Sequence, residues 1–234
     1  TFDPGTRRFG PVTSKLDEDN VAWRVALNWT PREGTLVFGS VSRGAKAGVT
    51  PINAANISTQ DAPAKQEILL AYEVGVKAAL FERRMQANLS AFYYDYKDKQ
   101  LSVYFADPIY TALSRLNNVP KSEAYGVDGD VTWRLTPELT AMASGTWLHT
   151  EVKGYVGINS AGKPQSFDGA PFLYSPKVQG GLTMLYTDGK PVPSLTPSFR
   201  WMGTGQLFGV PAPILILLLV RDGQYARYVV LRLK

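Results

Sequence analysis

The sequence predicts an all-β chain, an antiparallel up-and-down meander of roughly eight to ten long strands. Three observations predict it. Apolar and polar residues alternate with a period of two over long stretches. Tight turns and long polar loops follow one another in regular succession. Aromatic residues gather near the strand ends.

The alternation is clearest from Leu70 to Leu101. Tyr72, Val74, Val76, Ala78 and Leu80 fall on one face, and Glu73, Gly75, Lys77 and Ala79 on the other. After the tight turn Phe81-Glu82-Arg83-Arg84, Met85, Ala87, Leu89, Ala91 and Tyr93 alternate with Gln86, Asn88 and Ser90. Successive strand side chains point to opposite faces, so such a sheet has one apolar and one polar side. In a soluble sheet a second layer covers the apolar side. In a barrel crossing a membrane it meets hydrocarbon, and the polar side lines the interior.

The other elements follow the same rule. A first strand is expected from about Asn20 to Thr30, then a turn at Pro31-Arg32-Glu33-Gly34 and a return over Thr35 to Arg43. A long polar loop occupies Gly44 to Gln66. Past Leu101 the alternation blurs until Asn117-Asn118, and a strong strand resumes at Ala124. Thr136-Pro137-Glu138 turns the chain into Leu139 to Trp147. A second long loop runs from Lys153 to Leu173, followed by strands at Pro176 to Tyr186 and Ser194 to Trp201. Short connections at one end and long ones at the other are the habit of membrane barrels.

Trp29, Trp133 and Tyr186 precede short turns, while Trp23, Tyr72, Tyr125 and Trp147 sit at the opposite strand ends. Tyr125 and Trp133 are separated by about 27 Å of strand. At a tilt near 40° this is about 20 Å of height, close to the apolar band between two aromatic girdles.

Composition closes other routes. The 234 residues include no cysteine and a single histidine, which removes thiolate sites and most histidine chemistry, so no enzyme, metal or cofactor is expected. The net charge of +5 is scattered without a basic patch, so no nucleic-acid partner is expected. No apolar run is long enough for a transmembrane helix; the longest, Ile214 to Val220, is far short of about 18 residues. No secretory leader is visible at Thr1, so the chain is expected to be an internal or C-terminal piece of a longer protein. Asp128 and Asp130 share a face without a third ligand or a nucleophile. The glycine pairs near Gly154 and Gly180 lack the strand–loop–helix setting of a phosphate cradle.

Four segments in series carry a family likeness. DNVAWRVALNWTPREGTLVFGSVSRGAKAG (from Asp19), AYEVGVKAALFERRMQANLSAFYYDYKDKQ (from Ala71), NNVPKSEAYGVDGDVTWRLTPELTAMASGTWLHTEV (from Asn117) and SPKVQGGLTMLY (from Ser175) resemble TonB-dependent outer-membrane receptors of the siderophore type. The resemblance implies an incomplete portion of a large transmembrane β-barrel of about 22 strands, which in the whole receptor encloses a plug. It implies an outer-membrane location in a Gram-negative bacterium and contact with outer-membrane lipid. It also implies a plug domain and the TonB complex as partners, both absent from this chain, and uptake of a scarce ligand such as a ferric siderophore. Residues 1–202 are expected to be the partial barrel and 203–234 an atypical tail, with a strand hairpin about Arg221-Asp222-Gly223-Gln224. Such a fragment is not expected to transport by itself. A small outer-membrane pore and a soluble β-sheet binding module are the alternatives.

On this reading Arg24, Asn28, Glu73, Lys77, Asn88, Asp128, Asp130 and Arg134 face the lumen, with Glu73 and Lys77 as a candidate ion pair. Trp23, Trp29, Tyr72, Tyr125, Trp133, Trp147 and Tyr186 mark the membrane interfaces. Phe92, Tyr94, Tyr96 and His149, at the long-loop ends, are the ligand-contact candidates.

Overall fold

The computed structural model describes residues 15–50, 62–107 and 111–185 in full. By backbone alone it describes residue 186 and the strands at 2–3, 8–9, 198–202, 214–221 and 224–232. Two short strands, β1 (Phe2–Asp3) and β2 (Arg8–Phe9), pair with each other. The main sheet is built from β3 (Trp23–Arg32), β4 (Thr35–Lys46), β5 (Glu67–Leu80), β6 (Met85–Asp107), β7 (Thr111–Arg134) and β8 (Leu139–Lys153). It continues through β11 (Val178–Tyr186), β12 (Ser198–Met202), β13 (Ile214–Arg221) and β14 (Gln224–Arg232). Small strands β9 (Val156–Ile158) and β10 (Pro164–Ser166) lie in the β8–β11 connection. The spatial order β14-β13-β12-β11-β8-β7-β6-β5-β4-β3 is an antiparallel meander. Of the expected strand at Ser194 to Trp201, residues 194–197 lie outside the described residues.

Register keeps the two faces apart. Tyr72 pairs with Tyr93, Tyr93 with Tyr125, and Tyr125 with His149. Two residues along, Val74, Ala91, Val127 and Trp147 form the next apolar row. Among the described residues nothing covers this face: Leu27 is 74% exposed, Val25 67% and Val74 56%. The described buried apolar residues, Ala64, Val119, Ala124 and Val152, all lie beyond the tyrosine row toward the long loops.

The short turns climb across the sheet. Arg32 and Thr35 close the first hairpin, and Thr35 pairs with Ala78; the next hairpin closes two residues on, at Leu80↔Met85. One residue of stagger per strand, about 3.3 Å against about 4.8 Å between strands, is a tilt of about 35°. That is the inclination of strands in a large barrel wall. The turns are also tied together. Arg83 donates to Glu33 at 2.7 Å, and Arg84 donates to the Leu135 carbonyl at 2.7 Å. Phe81, Glu82 and Arg83 all have positive φ (53°, 55° and 66°), a left-handed turn bought with strain and held by the Phe81 ring stacked 6.0 Å from Trp133.

β6 and β7 are much longer than the sequence pattern indicates. They reach 23 and 24 residues, more than twice the 9–11 or so that cross a bilayer. In the blurred region, residues 101–107 and 111–117 are paired strand, with Leu101 against Asn117 and Phe105 against Leu113, and 108–110 lie outside the described residues. The blur has a local cause at Asp98, which has φ of 54°. Opposite it lies Pro120, which has no N–H to give, and the Asp98 carbonyl accepts from Asn118 Nδ2 at 2.7 Å instead. The left-handed residue exchanges the faces. Before it Phe92, Tyr94 and Tyr96 share the polar side; beyond it the alternate set Lys99, Leu101, Val103 and Phe105 is the better covered. The second long loop is likewise more ordered than expected, since β9 and β10 pair within it and Ile158 bridges to Tyr104 of β6.

Two glycines on the polar face fix this register. Phe38 lies across Gly75 and Phe92 across Gly126. A Cβ on Gly75 would meet the Phe38 ring at 2.5 Å, and one on Gly126 would meet the Phe92 ring at 2.9 Å and the Trp147 carbonyl. Gly126→Val is therefore expected to cost about 1–3 kcal/mol, read as a lower urea midpoint by tryptophan fluorescence, with Gly44→Val, where a Cβ meets nothing within 4 Å, nearer neutral.

Candidate functional site

The polar face places the expected residues in paired rows. Asn88 stands between Lys77 and Asp130, and Ser90 between Gly75 and Asp128. Asn88 Nδ2 donates to Asp130 at 2.9 Å and the Ser90 hydroxyl to Asp128 at 2.9 Å. Arg24 donates to Ser40 Oγ at 3.3 Å, and Glu73 lies between Ser40 and Phe92. Asn28 pairs with Phe38 and Arg134 with Thr140, so all eight residues occupy one face. The Glu73–Lys77 pair does not form. Four residues along a strand is about 13 Å, too far for contact. Lys77 Nζ lies instead over the Phe38 ring at 5.7 Å.

Further along the same face, toward the long loops, an aromatic cluster surrounds one lysine. Phe92 and Tyr94 stack at 4.8 Å, and Phe172 of the β8–β11 connection meets Tyr96 edge-on at 5.9 Å. Lys99 Nζ sits 3.7 Å from the Tyr96 ring centre, 4.7 Å from that of Phe172 and 3.5 Å from Glu67 Oε1. Glu67 also accepts from the Gln100 N–H at 2.8 Å. Phe172 is held by its own N–H, which donates to Thr150 Oγ1 at 3.0 Å. The long loop thus folds onto the strand that carries the cluster. Burial pushes the Lys99 amine below its ordinary 10.5, and Glu67 pulls it partly back. Burial likewise raises the Tyr96 hydroxyl. Lys99 and Phe172 escape a sequence reading because the face exchange at Asp98 puts Lys99 out of phase with Tyr96, and Phe172 arrives from a distant loop.

His149 is not brought to this cluster. It lies on the apolar side, stacked 4.8 Å from Tyr125, with Nε2 3.6 Å from Glu151. There the expected aromatics form a continuous row: Tyr72–Tyr93 at 6.2 Å, Tyr93–Tyr125 at 6.4 Å and Tyr125–Trp147 at 6.0 Å. Tyr93 completes it. Trp133, backed by Phe81, stands at the short-turn end, and Trp23 and Trp29 lie exposed on β3, the free edge of the sheet. The side chain of Tyr186 lies outside the described residues. Above the tyrosine row come charges. Lys153 Nζ lies 2.5 Å from Glu123 and 3.0 Å from Glu151, and Tyr93 donates to Glu123 at 2.9 Å. Burial disfavours the Glu123 charge, but Lys153 and its other hydrogen bonds outweigh it and hold the carboxyl below its usual value.

A family model described as TonB dependent receptor-like, beta-barrel, matches residues 1–228. No curated protein sequence matches the chain. Solved structures do. The ferric yersiniabactin uptake receptor FyuA from Yersinia pestis aligns with TM-score 0.61 at 17% identity, over 86% of this chain and 29% of that one. The siderophore receptor PiuA from Acinetobacter baumannii aligns with TM-score 0.60 at 15% identity, over 90% and 34%. The alcaligin receptor FauA from Bordetella pertussis aligns with TM-score 0.53 at 17% identity, over 89% and 33%. The chain thus spans about a third of the length of these structures.

Because its folded value is depressed, Lys99 costs stability while charged, and the cost is relieved as pH rises toward 10.5. Glu67→Gln removes the opposing charge. It is expected to lower the Lys99 value further, measured by NMR of the ¹³C-dimethylated amine, and to cost roughly 1–3 kcal/mol of stability. An unchanged Lys99 titration would remove Glu67 as its partner.

Proposed function

This chain belongs to the TonB dependent receptor-like β-barrel family, and from that premise we propose that it forms part of the wall of an outer-membrane receptor for a scarce ligand. One observation carries the reading. An uncovered apolar face is bounded by aromatic residues at both ends, on strands inclined by about 35°. The apolar face then meets outer-membrane lipid. The opposite face, with Arg24, Asn28, Glu73, Lys77, Asn88, Asp128, Asp130 and Arg134, then lines the lumen and holds the plug by hydrogen bonds. The Phe81–Arg84 turn lies in the periplasm, and the long β6–β7 hairpin rises outside the cell.

In this reading the main-sheet strands within residues 1–202 are wall, and the β13–β14 hairpin extends it, paired to β12 at Ser198↔Leu218. The sheet has two open edges, which lipid does not tolerate, so the chain transports only as part of a closed barrel with its plug and the TonB complex. Phe92, Tyr94 and Tyr96, joined by Lys99 and Phe172, form the ligand-contact surface. Flat aromatic faces beside a cation suit an anionic, ring-bearing iron chelate, and a ferric siderophore is the cargo named for several similar structures. His149 belongs to the outer aromatic belt instead.

Single cysteines test the wall. In membranes, Val74→Cys and Leu89→Cys are expected to resist a water-soluble maleimide, while Lys77→Cys and Asn88→Cys react from the lumen. Equal labelling of both sets, or release of the protein by carbonate without detergent, would overturn the membrane reading. For the cargo, Tyr96→Ala in the complete receptor is expected to weaken ferric-siderophore binding roughly tenfold, with unchanged surface expression.

A further inference from the structure

Lys99 is the cation of the aromatic cluster, yet its charge is already met within the chain. Its Nζ lies 3.5 Å from Glu67 Oε1, and the two side chains are only 14% and 11% exposed. The Tyr96 and Phe172 rings enclose the ammonium at 3.7 Å and 4.7 Å. Glu67 is not free to swing away, because its other oxygen accepts the Gln100 N–H at 2.8 Å. Gln100 Nε2 in turn donates to the Ala47 carbonyl at 2.8 Å and the Lys65 carbonyl at 3.0 Å, joining both stems of the β4–β5 loop. The same stems are bridged again at Val49↔Ala64. A ligand on the cluster therefore meets aromatic rings with a fixed, neutral ion pair behind them.

The charge around the rings points the same way. Toward the short turns, Glu73 stands across from Phe92, and Asp128 is bonded to the neutral Ser90 hydroxyl. Toward the long loops, the exposed Lys46 lies opposite Glu67 across β4 and β5. A polyanion gains little from an enclosed, neutralised ammonium. It is also repelled by Glu73 and Asp128 and loses hydration against the rings. A ring-bearing chelate of low charge keeps the aromatic contacts without those penalties.

We propose that Glu67 sets the charge class of the cargo, so that the cluster takes a ring-bearing iron chelate with at most one negative charge and rejects a triply charged one. Glu67 acts through Lys99, as a specificity-determining residue that does not itself touch the ligand. The inference rests on the cargo reading above and deepens it.

Tripodal ferric chelates with matched six-membered ring arms supply the probes. Hydroxypyridinonate arms throughout give a neutral complex, catecholate arms throughout a triply anionic one, and mixed tripods the charges between. Dissociation constants are measured for the whole series on one preparation of the complete receptor, so that their ratios are independent of the folded fraction. In the unmodified receptor the neutral and singly charged complexes are expected to bind most tightly, with affinity falling roughly fivefold for each further charge. Glu67→Gln keeps an oxygen for the Gln100 N–H but leaves the Lys99 charge unopposed, and is expected to reduce that step to roughly twofold or less. The double variant Glu67→Gln/Lys99→Gln, again neutral, is expected to restore the original step, and Lys163→Gln on the β9–β10 turn to leave it unchanged. Equal or tightest binding of the triply charged complex by the unmodified receptor overturns the proposal, as does an unchanged step in Glu67→Gln. A double variant that behaves like Glu67→Gln alone assigns the effect to packing and overturns it too. Failure of every complex to bind the unmodified receptor sinks the cargo reading itself, and the charge filter with it.

Discussion

Strand register is the constraint on which the other features depend. With a side-chain period of two, a slip of one residue on β6 would carry Asn88 and Ser90 to the apolar side and Leu89 and Ala91 to the polar side. A sheet with no second layer has no core to resist such a slip. Resistance comes from discrete pins instead. Phe38 over Gly75 and Phe92 over Gly126 leave no room for a Cβ beneath either ring, so a slip that put any other residue opposite them would clash. Arg83 and Arg84 tie three successive turns together. The hydrogen bonds from Asn88 to Asp130 and from Ser90 to Asp128 repeat the same register in polar chemistry.

The same constraint is released deliberately once the strands pass the tyrosine row. Asp98, left-handed and opposite a proline, exchanges the faces without breaking the ladder, which continues from Lys97↔Lys121 to Lys99↔Val119. Below this point one side is apolar and bare. Above it, the sheet gains the β8–β11 connection as a partial cover, and the described buried residues collect there. The aromatic–lysine cluster sits at this changeover. Its members come from β5, β6 and the β8–β11 connection, brought together by strand pairing and by the Phe172 N–H bond to Thr150.

Charge is distributed on the same plan. On the polar face, ionisable groups are spread along the strands and bonded to neutral neighbours. On the apolar face of β5 to β8 no charged residue is described between the short turns and the aromatic row, and beyond that row charges appear in two successive rows of opposite sign. Burial of Lys99 by Tyr96 and Phe172, offset by Glu67, shows how closely the loop packs where the faces exchange.

Sequence alone determined the strand class, the tight turns, the two faces and the residues on each, because a period of two and turn chemistry are local properties. Of Trp23, Tyr72, Tyr125 and Trp147, assigned to one strand end by spacing, the last three lie in one row, joined through Tyr93, while Trp23 stands apart on β3 opposite Arg43. The four serial segments likewise sufficed for the family. Only the tertiary structure decided the length of β6 and β7, since a single positive φ at Asp98 reverses the phase of the pattern while backbone pairing continues unbroken. It also separated Glu73 from Lys77, whose shared face is no guide to distance along an extended chain. It placed His149 against Tyr125 on the face opposite Tyr94 and Tyr96, and brought Phe172 and Lys99 to Tyr96. These are contacts between residues far apart in sequence, fixed by register and loop packing, which no local pattern encodes.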